Sequence, residues 1–73
     1  MINEICKLHS KLDFNTEILI NMSRYDYQTK IQKADIIKKV DNNTLKVIRP
    51  SGEICLINTN YCMLVYYHRR SLL

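Results

Sequence analysis

A single glycine and a single proline are spread over 73 residues. One glycine cannot build a glycine-rich phosphate loop, so that route to nucleotide chemistry is excluded. Cysteine is sparse and odd in number: Cys6, Cys55 and Cys62 stand at spacings that match no zinc ligand set and cannot form a complete disulfide framework. They are expected as buried, reduced thiols, although Cys55 and Cys62 could face each other across adjacent strands. No close pair of carboxylates suggests general acid–base work. No stretch approaches the roughly 18 apolar residues of a membrane span. The N-terminus lacks a basic start followed by an apolar run, so no signal peptide is expected and the default compartment is the cytoplasm. There is no repeat, low-complexity tract or linker. The chain is thus read as one domain with no membrane partner, metal or cofactor. A core this small stabilises a fold only marginally, and without disulfides or metal the extra burial is expected from homo-oligomerisation.

What is present is a moderate excess of positive charge and a strong period-two pattern. Eleven Lys and Arg against seven Asp and Glu give a net charge of +4. That balance favours an anionic partner, either nucleic acid or an acidic protein surface. From Arg24 to Ile31 the residues alternate: Tyr25, Tyr27, Thr29 and Ile31 on one face, Arg24, Asp26, Gln28 and Lys30 on the other. A period of two belongs to a half-buried strand.

The only helical pattern is N-terminal. Ile2, Ile5, Leu8 and Leu12 share one helical face, with Asn3 as a possible N-cap. Thr16 to Met22 reads as the first strand, with Ile18, Ile20 and Met22 on one face and Leu19 on the other. After Ser23-Arg24, a second strand runs from Tyr25 to near Val40. Its alternation slips around Lys33 to Ile37, which marks a bulge or sharp bend. Asp41-Asn42-Asn43 is a turn, since these residues tolerate left-handed angles, and Thr44 to Arg49 is the third strand. Pro50-Ser51-Gly52 is the strongest turn. Glu53 to Ile57 and Tyr61 to Tyr67 follow as the fourth and fifth strands, separated by Asn58-Thr59-Asn60. Arg69 to Leu73 reads as a loose tail. The prediction is a mainly β chain: residues 1–73 form one domain, a helix over about 2–13 followed by a five-stranded antiparallel small barrel of the SH3-like or Sm-like kind over about 16–67.

A helix, then five strands with a long bent second strand and a minimal link between the last two, resembles the Sm-like fold. Within it, the order and segment lengths look most like the bacterial RNA chaperone Hfq. The resemblance is topological and spans nearly the whole chain. The segment from Cys55 to Val65 would hold the family's second signature, but Asn58, Thr59 and Asn60 stand where the family has a tyrosine-lysine-histidine turn. The asparagine-glycine turn after the first strand is also absent. The resemblance therefore implies a ring-forming fold and RNA binding, without carrying over the family's uridine pocket.

Candidate binding residues follow from charge and aromaticity. Lys30, Lys38, Lys39, Lys46 and Arg49 lie on or near the second and third strands, where they would neutralise phosphates or simply solvate a sheet face. Tyr66, Tyr67, His68, Arg69 and Arg70 join aromatics to three possible cations within five residues. Asn58 and Asn60 complete the set. His68 beside Arg69 and Arg70 also admits an acid–base ribonuclease of the RelE toxin type, but that family's longer helical N-terminal portion is missing. The expected function is non-catalytic RNA binding, as a ring-forming post-transcriptional regulator or RNA chaperone. The alternatives are a small phage-type or mobile-element adaptor or inhibitor that binds a protein, or a small nucleotide ligand held in the ring.

Overall fold

The structure, a computed structural model, describes residues 1–22 and 28–70. Helix α1 spans Ile2–Ser10. Its ladder opens with the Ile5 N–H donating to the Met1 carbonyl at 3.1 Å. Asn3 therefore lies inside the helix, and Met1 is the cap residue with no side-chain cap. Ile2, Ile5 and Leu12 are buried and Leu8 is half-buried, as the helical spacing predicts. Beyond the helix, Asp13 folds the chain back into the sheet. Its carboxylate accepts from the Asn15 N–H at 2.8 Å and the Thr16 hydroxyl at 3.1 Å.

Six strands follow: β1 (Thr16–Met22), β2 (Gln28–Gln32), β3 (Ile36–Lys39), β4 (Thr44–Ile48), β5 (Ile54–Asn58) and β6 (Cys62–Arg69). They form two three-stranded antiparallel sheets, ordered β2-β1-β6 and β3-β4-β5. The inner faces share one core. Ile18, Ile20 and Ile31 come from the first sheet, Leu45, Val47 and Ile57 from the second, and Ile2, Ile5 and Leu12 from the helical segment. Period-two alternation explains each contribution: β2 and β4 bury every second residue.

The mainly β chain with one N-terminal helix is as expected, with six strands in place of five. No strand pairing closes the two sheets on each other among the described residues. The long second strand is two strands, because Lys33 to Asp35 leave the extended conformation. The slip in alternation marks that break. Asp35 sets it locally, its carboxylate accepting from the Gln32 N–H at 2.8 Å. Arg49, past the end of β4, sets it at long range. Its guanidinium Nη1 reaches the same Asp35 oxygen at 2.7 Å and the Lys30 carbonyl at 2.6 Å. One side chain thus pins the second sheet to a strand of the first.

The turns at Asp41-Asn42-Asn43 and Pro50-Ser51-Gly52 are as placed by the sequence, but the chemistry differs in one case. Gly52 holds the only positive φ among the described residues, +92°, and its N–H bonds the Arg49 carbonyl at 2.9 Å. The Asp41-Asn42-Asn43 turn uses no left-handed residue. It closes instead through the Asp41 carboxylate, which accepts from the Asn43 N–H at 2.8 Å. The polar break between β5 and β6 is a single 3-10 turn, Thr59–Tyr61, capped by the Asn58 side chain. Cys55 lies opposite Val47 and Cys62 opposite Met22, in different sheets, so they do not face each other. All three cysteines are free and half-buried, and burial pushes the Cys62 thiol up from its ordinary value. Arg69 and Arg70 are not a loose tail. β6 continues through Arg69, and the Arg70 N–H donates to the Asn15 carbonyl at 2.7 Å. The Tyr25–Tyr27 half of the alternation, the Ser23-Arg24 connection and residues 71–73 lie outside the described residues.

Two expectations follow. Arg49→Met strands the buried Asp35 carboxylate and is expected to lower stability by about 1–3 kcal/mol in urea unfolding, whereas Lys38→Met on an open surface changes it by less than about 0.5 kcal/mol. Asp13 is held below its ordinary value by the Asn15 N–H and then by the Thr16 hydroxyl. A depressed carboxylate contributes stability above its unfolded pKa, and that contribution is lost as pH falls through the folded value. The Asn15 amide resonance should therefore shift on acidification below the usual aspartate range, and this step should vanish in Asp13→Ala.

Candidate nucleic-acid interface

Alternation along β1 sends Ile18 and Ile20 into the core and Glu17, Leu19 and Asn21 to the outer face of the first sheet. Pairing registers complete that face in rows. Gln32, Glu17 and His68 form one row; Lys30, Leu19 and Tyr66 form the next; Gln28 lies beside Asn21. Leu19, flanked by Lys30 and Tyr66, is buried although it is outside the core cluster.

The polar groups of this face are tied to one another. Gln28 Nε2 donates to Asn21 Oδ1 at 2.9 Å and to the Tyr66 hydroxyl at 3.0 Å. The rings of Tyr66 and His68 meet edge to face, with centroids 6.4 Å apart. Glu17 is only 4% exposed. Its carboxylate accepts from Gln32 Nε2 at 3.2 Å, and it lies 3.4 Å from His68 Nδ1 and 4.0 Å from Arg70 Nε. Arg70 is anchored further by donating through Nη1 to the Phe14 carbonyl at 3.1 Å. The result is a hydrogen-bonded surface with Lys30 and His68 exposed, Tyr66 and Arg70 half-buried, and one carboxylate beneath them.

The sequence-predicted residues divide between surfaces. Lys30, Tyr66, His68 and Arg70 come together on this face. Tyr67 and Arg69, the alternate residues of β6, point to the other side, opposite Ile18 and Thr16. The run from Tyr66 to Arg70 is therefore two half-sites on opposite faces. Lys38 and Lys46 lie directly opposite each other on the outer face of the second sheet, next to Leu56, while Lys39 is on the reverse side in register with Leu45. Arg49 is committed to Asp35 and the Lys30 carbonyl. Asn58 caps the 3-10 turn, accepting from the Asn60 N–H at 3.0 Å, and Asn60 is exposed there. Sequence reasoning missed Glu17, Gln28, Gln32 and Asn21. Their face was readable from the strand period, but their partners depend on register across three strands.

Among the described residues no group of His, Cys, Asp and Glu could hold a metal ion, and no helix is long and apolar enough to cross a membrane. No protein-family model matches the chain, and neither the curated proteins nor the solved structures contain a match.

Leu19 is the apolar floor of this face. Leu19→Ala is expected to cost about 2–4 kcal/mol in unfolding experiments and to broaden the Tyr66 and His68 ring resonances, because their support is removed.

Proposed function

We propose that this chain is a non-catalytic RNA-binding protein of Sm-like type, a cytoplasmic post-transcriptional regulator that works as a homo-oligomer and binds single-stranded RNA across the outer face of β2-β1-β6. The observation that carries the reading is the convergence of Lys30 from β2 with Tyr66, His68 and Arg70 from the end of β6 onto that one face. Aromatic and imidazole rings stack on unpaired bases, and flanking cations neutralise the backbone. The amides of Gln28, Asn21 and Gln32 add donors and acceptors for base edges. The Sm-like part rests on the element order, the break at Lys33–Asp35 and the short link at Thr59–Tyr61.

Fluorescence anisotropy with a labelled mixed-sequence single-stranded RNA tests it. Affinity should fall with salt. Lys30→Glu should weaken binding and reduce the logarithmic salt slope by about 0.7 for each phosphate that is no longer neutralised. Tyr66→Ala should weaken binding by about 1–3 kcal/mol. Salt-insensitive or undetectable binding would sink the reading.

A second surface favours protein contact. On the outer face of the second sheet Ile36, Ile48 and Ile54 are aligned by register, with Leu56 alongside. Ile36, Ile54 and Leu56 are all more than half exposed. β5 is also an edge strand, so one side of its backbone is open to pairing. This patch suits the contact between copies in the proposed oligomer, or the partner of an adaptor protein. Light scattering should give a multiple of the chain mass that falls to a single chain in Leu56→Lys. A wild-type protein that is already a single chain would rule out the oligomer.

A further inference from the structure

The candidate face contains a charge arrangement that RNA stacking does not explain. Glu17 is a carboxylate on the outer side of a sheet, yet it is 4% exposed. Around it are His68 through Nδ1 at 3.4 Å, Arg70 through Nε at 4.0 Å, and Gln32 through Nε2 at 3.2 Å. His68 and Arg70 are themselves 43% and 39% exposed at the side chain, so solvent reaches both side chains but not the carboxylate. With Nδ1 turned to Glu17, the second ring nitrogen, Nε2, has no hydrogen-bond partner among the described residues.

We propose that His68 Nε2 and the Arg70 guanidinium form a phosphate-binding site that Glu17 positions from beneath and that protonation of His68 switches on. The electrostatic balance sets the direction. With His68 neutral, Glu17 and Arg70 cancel, and the site offers a phosphate no net charge. With His68 protonated, one carboxylate faces two cations, and one positive charge remains for one phosphate oxygen. Both nitrogens of a protonated imidazole are donors, so Nδ1 keeps Glu17 while Nε2 donates outward. The carboxylate fixes which nitrogen is engaged, as an orienting partner does for a histidine metal ligand or base. The other groups facing His68 do not reverse this sign. Tyr66 is uncharged and meets the imidazole edge to face, Gln32 is neutral, and Lys30, one row away on β2, adds positive charge.

The ligand chemistry is a phosphate monoanion or the phosphodiester of RNA. The site deepens the RNA-binding reading and rests on it only for the diester. Two titrations separate the sources. In the first, inorganic phosphate is added while the His68 imidazole resonances are followed by NMR from about pH 5 to about pH 8, the range in which histidine changes charge. In the second, the labelled single-stranded RNA is titrated over the same range at fixed salt.

Expected are a phosphate-dependent shift of the His68 signals at the acid end and RNA affinity about three- to ten-fold tighter there, the net increment of one ordinary solvent-exposed hydrogen bond. His68→Gln, an exposed and conservative change, should remove the pH dependence while keeping the salt dependence due to Lys30. Glu17→Gln keeps the shape and should leave binding no longer tuned by the carboxylate. The His68 ring-nitrogen resonances should then lose the pattern of an Nδ1 held by a carboxylate, a readout that loss of packing alone would not give. RNA binding with the same pH profile in wild type and His68→Gln would overturn the site and leave the RNA reading standing. A His68 response to inorganic phosphate without RNA binding would keep the site and sink the RNA reading. RNA cleaved by wild type but not by His68→Gln would overturn the proposal in favour of a catalytic histidine.

Discussion

A guanidinium reaching across a corner holds this fold in one arrangement. The chain must leave the first sheet after Gln32 and enter the second at Ile36, with only Lys33, Ala34 and Asp35 to make the change. A tight reversal of that kind exposes backbone donors and acceptors that neither sheet can satisfy. Asp35 takes up the Gln32 N–H, and Arg49 takes up both Asp35 and the Lys30 carbonyl. Arg49 is itself fixed, because its N–H bonds the Glu53 carbonyl at 2.8 Å across the Pro50-Ser51-Gly52 turn. The only glycine and only proline of the chain thus serve the residue that couples the sheets. A buried ion pair is weak evidence of net stabilisation, since desolvation offsets much of the attraction. Its effect here is geometric: it selects the corner, and the corner sets how the two inner faces meet over Leu45, Val47 and Ile18.

The same corner determines what the outer faces can do. Lys30 lies on β2, and its carbonyl is one of the two anchors of Arg49. Its side chain, pointing away from the core, is part of the row with Leu19 and Tyr66. An arginine that looked like a free phosphate contact in the sequence is therefore part of the frame, and a lysine just before the corner is what the frame presents. Basic charge alone does not distinguish these roles; the location of the nearest buried carboxylate does. Arg49 is opposite the buried Asp35, while Lys38 is in register with Lys46, and Lys46 with Leu56.

Much of the architecture was legible in period and turn chemistry. The Ile2–Leu12 stripe, the alternation of β1 and the turn at Gly52 all reflect local physics that a short window of sequence contains. The bend near Lys33 was legible as a slip of phase, but not as a full break, because the partner that stabilises the break, Arg49, lies beyond another strand and turn. Whether the strands close into a barrel was not legible for a related reason: closure depends on whether two edges meet, and no local pattern encodes that. The candidate site was legible only in part. Tyr66, His68 and Arg70 were found as members of a run, yet a strand sends alternate residues to opposite faces, so adjacency in sequence overstated their number. Glu17 carried no signal of its own, being one acidic residue in an otherwise uncharged strand.

That one residue shows how the face differs from an ordinary solvated sheet. If only stability were at stake, the slot between Gln32 and His68 would suit an apolar side chain, since replacing a buried ionic arrangement with packed hydrophobic residues is often neutral or stabilising. A Leu or Val there would continue the apolar floor begun by Leu19. Glu17 is instead desolvated and must be compensated by three partners from β2, β6 and the segment after it. Those partners are held in place by it in turn: Arg70 is drawn over the sheet instead of into solvent, and His68 is held by one nitrogen. The carboxylate thus holds two surface side chains, His68 and Arg70, as a pair at the edge of an aromatic face. Fixed cations lose less freedom when they meet a ligand than mobile ones do. Under the proposed RNA-binding reading, a face organised around a buried carboxylate would meet a phosphate with two side chains already in place.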